Sequence, residues 1–443
     1  MTQQGPTMGI AMVGCGTVGC AAGTLLTRDA EILARRGGLD LQLRHIVDVD
    51  FTAARRAGLS EELFQPDLEK ALADASVGVV VELVGGTGIA KTIIERGIRA
   101  GKHVVTANKA LLAHHGAELC ALARRKGVCI AFEASCAGGV PIVRALTGGL
   151  LANRIDALYG IVNGTCNYIL TAMMQRSQSY ADALAAAQKR GLAEADPALD
   201  VTGIDSAHKL AILASLAFGE RVDFDAISVT GIDSLQLCDV RYGQDLGYTI
   251  KLLAIATRQG DGLSLKVSPA FIHTGHPLAW VSGSFNAISV YGHTTGHTMY
   301  YGRGAGGMPT ASAVVADIMS VAMGTAQIEF AKLRLWPDRS PPAVQLPITD
   351  ARSQYYIRVM CDDHPGVLAR IATILANHGI SLLSVLQHEP PAGIKANLVP
   401  LIIATHEAKY ADVAAALAEV DALEAVEAPC VCIPIVDEHP EDI

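Results

Sequence analysis

Runs of lysine and arginine are missing from this 443-residue chain, and with them the basic stripe interleaved with aromatics that a nucleic-acid interface needs. Lys and Arg number 35 against 44 Asp and Glu, a formal charge of −9, so no nucleic-acid partner is expected. Long hydrophobic runs are missing as well. The stretches 210–218 and 311–323 are too short or too interrupted for the roughly 18 apolar residues of a membrane span. No membrane association is expected, and the 50% apolar composition reads as buried core. The first residues show neither a basic segment leading into an apolar one nor an Arg-rich transit pattern, so a cytoplasmic location is expected. Ten cysteines form no C-x-x-C pair, Cys430-x-Cys432 being the closest spacing, and they read as reduced, mostly buried thiols. The histidines give no H-E-x-x-H pattern, so no transition metal is assigned, and His208 reads as a packing or surface residue.

What is present is a regular alternation. Residues 8–13 form an apolar run that ends in Gly14-Cys15-Gly16-Thr17-Val18-Gly19, followed by a helical pattern to about Arg36. Apolar segments at 41–47 and 77–83 end in Asp48-Val49-Asp50 and Val84-Gly85-Gly86, then come helix 88–100, strand 102–106, helix 109–126 and strand 128–132. Continuous Val-rich runs alternating with helices mark strands buried on both faces of a parallel sheet. The fold class is α/β: a doubly wound, Rossmann-type nucleotide-binding domain over 1–140. After Pro141 the pattern changes to an α+β substrate and dimerisation domain over 141–307, with strand-like segments at 154–161, 262–273 and 285–291 and an Ala-rich helix at 180–190. A Gly-rich turn precedes a helix from about Thr310 to Ala331, and the stretch 308–332 is expected to return and cover the first sheet. Four prolines in 336–348 mark a linker over 333–352, and a compact α+β module fills 353–443.

A lone G-x-G-x-x-G is weak evidence; here Gly14, Gly16 and Gly19 directly follow a strand and open a helix, the context in which a helix N-terminus faces a pyrophosphate. At the end of the second strand, Asp48 or Asp50 suits the ribose hydroxyls of NAD, whereas Arg55 and Arg56 suit the 2′-phosphate of NADP, and the residues do not decide between them. Chemistry concentrates in 191–210. Glu194, Asp196, Asp200 and Asp205 fall within twelve positions, and a helix starting near Gly203 puts Asp205 and Lys209 on one face as an i,i+4 pair. A solvated surface ion pair is the plain alternative. A carbonyl reductase needs a proton donor beside the nascent alkoxide, which a lysine held by an aspartate supplies. An amino-acid substrate also needs a carboxylate for its ammonium group, and Glu194 suits that. Lys109 follows a sheet strand on the carboxyl edge where ligands collect. The segment Glu133 to Pro141 is rich in small residues, either a bare loop offering carbonyls to a cation or a spacer turn.

Taken in order, GCGTVG at 14–19, ELVGG at 82–86, TANKALLA at 106–113, EASCAGGVPI at 133–142, GIVNGTCNYIL at 160–170, AEADPALDVTGIDSAHKL at 193–210 and GRGAGGMPTASAVVADI at 302–318 resemble homoserine dehydrogenase of the single-function kind with a C-terminal ACT domain. The resemblance implies NAD(P)-dependent interconversion of L-aspartate 4-semialdehyde and L-homoserine, on the route to threonine and methionine. It implies that Lys209 is the proton donor, Asp205 its orienting partner and Lys109 a second active-site lysine that also meets cofactor and substrate. Glu194 and Asp200 are the implied substrate-binding acids. Gly14, Gly16, Thr17, Val18, Gly19, Asp48 and Gly306 are the implied cofactor contacts. A sodium-like cation site, mainly of backbone carbonyls, maps to Glu133, Cys136, Gly138 and Val140. Val49 stands where many family members carry an arginine, which leaves NADP preference open. Asp363, Pro365, Gly366 and Val367 resemble the effector-binding turn of an ACT module of βαββαβ form, implying L-threonine as effector and a homodimer or homotetramer. No kinase domain precedes the first motif, so a bifunctional fusion is not expected. The competing readings are another Rossmann amino-acid dehydrogenase acting on an imine and a non-catalytic amino-acid sensor.

Overall fold

The computed structural model describes residues 7–387, 398–437 and 439–440. Five strands, β1 (Thr7–Val13), β2 (Asp40–Val47), β3 (Val77–Glu82), β4 (His103–Thr106) and β5 (Ile130–Ala131), form an all-parallel sheet in the order β2-β1-β3-β4-β5. Strand alternation splits the Val-rich runs between two cores. Ile10, Met12, Val79 and Val81 face one layer of helices, and Ala11, Val13, Val77 and Val80 face the other. The layers hold α1 (Thr17–Arg28), α2 (Ala30–Gly37), α3 (Thr52–Arg56), α4 (Leu68–Ala73), α5 (Ile89–Arg99) and α6 (Lys109–Arg125). The single helix expected to Arg36 is two, broken at Asp29, a residue that favours helix ends; α2 then runs with no buried residue.

The second part contains α7 (Ile142–Arg144), β6 (Ile155–Ile161), α8 (Gly164–Arg176), α9 (Tyr180–Lys189), α10 (Ala198–Val201), α11 (Ile204–Phe218), β7 (Ser228–Val229), α12 (Leu237–Asp245), β8 (Tyr248–Gln259), β9 (Gly262–His273), β10 (Phe285–Gly292) and β11 (Gly296–Arg303). Next come α13 (Gly307–Met323) and α14 (Thr325–Lys332), which replace the single expected helix. Gly324, at φ +83°, ends one and starts the other with a bend of 84°. α13 lies against α1 and touches β3 and β4 of the first sheet. Among the described residues no single helix is long and apolar enough to cross a membrane.

The C-terminal module runs β12 (Arg352–Asp362), α15 (Val367–Asn377), β13 (Leu382–Gln387), β14 (Leu398–Thr405), the short β15 (Ala408–Lys409), α16 (Tyr410–Asp421) and β16 (Val426–Val436). Its sheet is continuous with that of the second part: the order is β11-β10-β6-β8-β9-β16-β12-β14-β13, joined where Ile435 and Val436 pair with Phe271 and Ile272. Period-2 alternation along β12 serves both sides. Tyr355, Ile357, Val359 and Cys361 pack with α15 and α16, whereas Tyr356 and Arg358 turn toward α12. There Arg358 Nε donates to Asp239 Oδ1 at 2.6 Å, Tyr356 Oη donates to the same oxygen at 3.1 Å, and all three side chains are buried.

The proline-rich stretch is packed rather than loose. Trp336 is buried against Phe132 and Phe330, and Pro342 and Gln345 bridge to Arg221 and Leu263. Proline removes a donor but keeps its carbonyl and an apolar ring, so such a segment can still dock.

Candidate active site

The first sheet reverses direction of growth between β1 and β3, and the loops after these strands form the crevice where nucleotides bind in this topology. The three motif glycines differ in what demands them. A Cβ on Gly14, at φ +95°, would come within 2.7 Å of the Leu83 carbonyl carbon, and one on Gly19 within 2.1 Å of the Gly14 oxygen. A Cβ on Gly16 would meet nothing within 4 Å, so it is the open approach to the loop that a side chain there would block. No side chain caps α1, which leaves Thr17, Val18 and Gly19 with N–H groups at the positive helix end. Uncapped α13 starts beside it: Gly306 sits at φ +115°, and a Cβ on Gly307 would be 3.2 Å from the Thr17 oxygen. Asp48 turns toward the glycine loop, Oδ2 accepting from the Cys15 N–H at 2.6 Å and Oδ1 from the Val49 N–H at 2.6 Å. Its carboxylate thus already ties β2 to the loop. Val49 is 98% exposed, Asp50 Oδ1 accepts from the Thr52 N–H at 2.9 Å, and Arg55 pairs with Glu61.

Three helix N-termini converge on one aspartate. Lys209 Nζ lies 2.6 Å from Asp205 Oδ2 on α11, so the expected i,i+4 pair forms, but buried rather than solvated. The ammonium also donates to the Val162 carbonyl at 2.7 Å. Lys109, the first residue of α6, reaches Asp205 Oδ1 at 3.2 Å with its side chain 41% exposed. Asn163, the cap of α8, donates to Asp205 Oδ2 at 2.9 Å and Asp200 Oδ1 at 2.7 Å, while its own Oδ1 accepts from the Cys166 N–H. Burial pushes the Asp205 carboxyl up, but the Lys209 and Lys109 charges outweigh it and hold the group far below the usual carboxylate range. Lys109 is in turn raised by Asp205, against its own burial. Twelve of the fifteen residues of α11 are buried, and it carries its two charges inside because they pair with each other. His208, one position before Lys209, packs its ring on Phe224 at 4.7 Å and edge-on to His114 at 5.4 Å, as the packing reading expects.

The small-residue loop passes under α11 and ties to the start of α13. Cys136 is buried with its thiol 4.0 Å from the Lys209 carbonyl, Gly139 N–H donates to the Arg303 carbonyl at 2.9 Å, and a Cβ on Gly138 would be 2.9 Å from the Gly304 oxygen. The Glu133 carboxylate is spent on the helix that follows, accepting from the Val143 and Arg144 N–H groups at 3.0 and 2.8 Å. Burial and Asp317 push it up to about 7. The Val140 carbonyl accepts from the Ile142 N–H, whereas among the described residues the Cys136 and Gly138 carbonyls accept none.

Glu194 is not brought to the lysines. It stands exposed in the segment between α9 and α10, and among the described residues its carboxylate has no partner. In the C-terminal module, Asp363, Pro365, Gly366 and Val367 line a cavity of about 280 Å³ at the uncapped start of α15, where Gln387 donates to Asp363 at 3.2 Å. His293 and His297 have a three-residue spacing, but it spans a β-hairpin turn instead of a helix face, and no cluster of three metal-ligating side chains occurs among the described residues. Sequence reasoning passed over three polar residues. Asn163 was legible only as part of a motif. Glu82 is fully buried, accepting from Thr106 Oγ1 at 2.7 Å and the Val84 N–H at 2.8 Å, and Asn108 caps α6 while donating to the Gly86 carbonyl. The signal for all three is a polar residue where an apolar strand ends.

Comparison with known proteins gives a consistent result. The family model "Homoserine dehydrogenase, NAD binding domain" matches residues 14–133, "Homoserine dehydrogenase" matches 141–319 and "ACT domain" matches 355–422. A homoserine dehydrogenase of Pseudomonas aeruginosa is 44% identical over 96% of this chain and 98% of its own length. The crystal structure of a homoserine dehydrogenase from Thiobacillus denitrificans superposes with a TM-score of 0.91 at 40% identity, covering 98% of this chain and 99% of that one. A hyperthermophilic archaeal homoserine dehydrogenase mutant in complex with NADPH, 26% identical, matches with a TM-score of 0.60 over 71% of this chain and 97% of that one.

Proposed function

We infer the reaction from kinship and geometry together: the chain belongs to the homoserine dehydrogenase family, and its buried Lys209–Asp205–Lys109 cluster beside a dinucleotide crevice suits NAD(P)-dependent interconversion of L-aspartate 4-semialdehyde and L-homoserine. The observation that carries it is Lys209, a buried ammonium fixed by one carboxylate and one backbone carbonyl. A bound nicotinamide supplies or accepts the hydride. Lys209 donates the proton to the aldehyde oxygen as it becomes a hydroxyl and takes it back in the reverse direction. Asp205 and the Val162 carbonyl fix two of the three ammonium hydrogens, leaving the third for substrate. Lys109 adds positive charge toward the developing alkoxide, and its half-exposed side chain can meet substrate and cofactor. Asp200, held by Asn163, receives polar groups of the substrate. Glu194 receives the ammonium group once the segment 191–197 moves in.

Thr17, Val18 and Gly19 at the start of α1 hold the pyrophosphate, and Gly306 lies on the nicotinamide side. The inward-turned Asp48 and exposed Val49 put neither a free acid nor a fixed arginine at the ribose, which favours use of both NAD and NADP. The Cys136 and Gly138 carbonyls, with those of Glu133 and Val140, would hold a monovalent cation of the sodium type, whose charge would order the loop under α11. The effector is L-threonine, its carboxylate at the start of α15 beside Gly366 and its polar groups toward Asp363. The assembly is a homodimer or larger, with β13 as the open edge of the long sheet among the described residues, its Leu383 and Val385 exposed.

Initial rates of L-homoserine oxidation with NAD and NADP separately, each with and without L-threonine and with sodium exchanged for tetramethylammonium, test all of this. Homoserine-dependent reduction of either nucleotide is expected, slowed by threonine and by loss of sodium. A folded protein that binds nucleotide but reduces none would shift the reading to an amino-acid sensor.

A further inference from the structure

A second concave site lies on the far side of α8 from Asn163's carboxylate partners. It has a volume of about 440 Å³, within the range of small-molecule sites, and is lined by α8, the end of α9, the 282–285 turn and the end of β11. Arg176, Arg190 and Arg303 all face it, and no aspartate or glutamate is among its lining residues. None of the three guanidinium groups has a carboxylate partner among the described residues. An acidic chain, with 44 carboxylates to 35 basic residues, has ample means to neutralise three arginines and here does not. The three guanidinium groups are exposed at the rim of one cavity, where an anion seated between them would relieve their mutual repulsion.

The arginines are also held in place. Arg190 lies over the Tyr168 ring and Arg303 over the Phe285 ring, each with its guanidinium carbon 5.3 Å from the ring centre, which keeps the planar forks from collapsing onto the surface. The floor is rigid: Asn167 on α8 donates to the Val281 and Phe285 carbonyls, and Thr171 Oγ1 accepts from the Gly283 N–H at 3.1 Å. Tyr168 is buried, and among the described residues its hydroxyl has no hydrogen-bond partner. Forked donors on aromatic supports recognise planar pairs of oxygens, as phosphate groups present them.

We propose that this cavity binds a small phosphorylated anion, with Arg176, Arg190 and Arg303 as its ligands, separately from the dinucleotide crevice and from the C-terminal module. The test is calorimetric titration of inorganic pyrophosphate into the full chain saturated with NADP, with sodium chloride of matched ionic strength as the control. NADP saturation removes the pyrophosphate-binding start of α1 from the measurement. The expected result is one saturable site per chain, weakened at least about tenfold in Arg190→Gln and in Arg303→Gln, the loss of a charge-assisted hydrogen bond. Both variants should melt within a degree or so of the parent, as exposed substitutions do. No saturable heat above the salt control, or binding equally tight in both variants, overturns the proposal. These outcomes are read as binding, so they stand apart from whether homoserine is oxidised.

Discussion

Lys209 and Asn163 act on the same carboxylate from different helices, and their removal should be separable by kinetics. Lys209→Ala takes away the proposed proton donor and should lower turnover by about 100-fold or more with nucleotide affinity unchanged; unchanged turnover would remove the assignment. Asn163→Ala leaves Lys209 in place but frees Asp205 and Asp200 to shift. A loss of about tenfold or more in kcat is expected, the worth of one charge-assisted hydrogen bond, and it should be partly restored by Asn163→Gln only if reach rather than geometry matters. The residue scale also carries a pH dependence. Burial and neighbouring His114 push His208 down to about 4 from its usual 6.5, so the folded protein keeps it neutral while the unfolded chain takes up a proton below about 6.5. Stability from this group is complete above that value and is lost as pH falls toward 4. His208→Phe should therefore show a smaller drop in melting temperature between pH 7 and pH 5 than the parent; an equal drop would place the acid sensitivity elsewhere. The pairing of Asp205 with Lys209 could be read from spacing alone, because both belong to one helix. The burial that gives the pair its strength could not, nor could Asn163 or Lys109 as its partners, since those contacts join elements 42 and 96 residues or more apart in the chain.

Among the elements, the strand-turn-helix at β1 and α1 was legible because glycine spacing and a Val-rich strand state the same geometry twice. The breaks at Asp29 and Gly324 were not, because a helical period continues across both and the bend is set by what the second segment packs on. Gly19 offers a test of the first motif. A Cβ there would press on the Gly14 oxygen at 2.1 Å, so Gly19→Ala must tilt α1 away from its strand. A destabilisation of about 1–3 kcal/mol and a marked weakening of NADP binding are expected, by denaturant unfolding and by fluorescence titration. Gly16→Ala, with nothing within 4 Å, should leave stability unchanged while still weakening the nucleotide. Equal effects on stability would contradict the division of roles between the two glycines.

At the scale of the whole molecule, Asp239 and Arg358 join the C-terminal module to the catalytic part through a pair that is 0% and 4% exposed. Removing one member strands a buried charge, so Arg358→Met should cost about 3–5 kcal/mol. Replacing both, as Asp239→Leu with Arg358→Met, should recover most of that loss in melting experiments, whereas additive losses would show that the two residues do not act as a pair. The order of the long sheet was beyond reach of local pattern. Alternation along β12 reads as a strand with one buried face, but nothing in it says that the other face is buried too, or names α12 as its neighbour.

The shared sheet has a practical consequence for any attempt to obtain an unregulated enzyme by trimming. A chain stopped in 333–352 would leave Phe271 and Ile272 without their neighbours on β16, bare the Phe271 ring that Tyr356 covers at 4.9 Å, and abandon the Asp239 carboxylate in an apolar wall. Such a product should be recovered in inclusion bodies, and the proposed effector control is better tested by point substitution at Asp363 or Gly366, which leaves the seam intact.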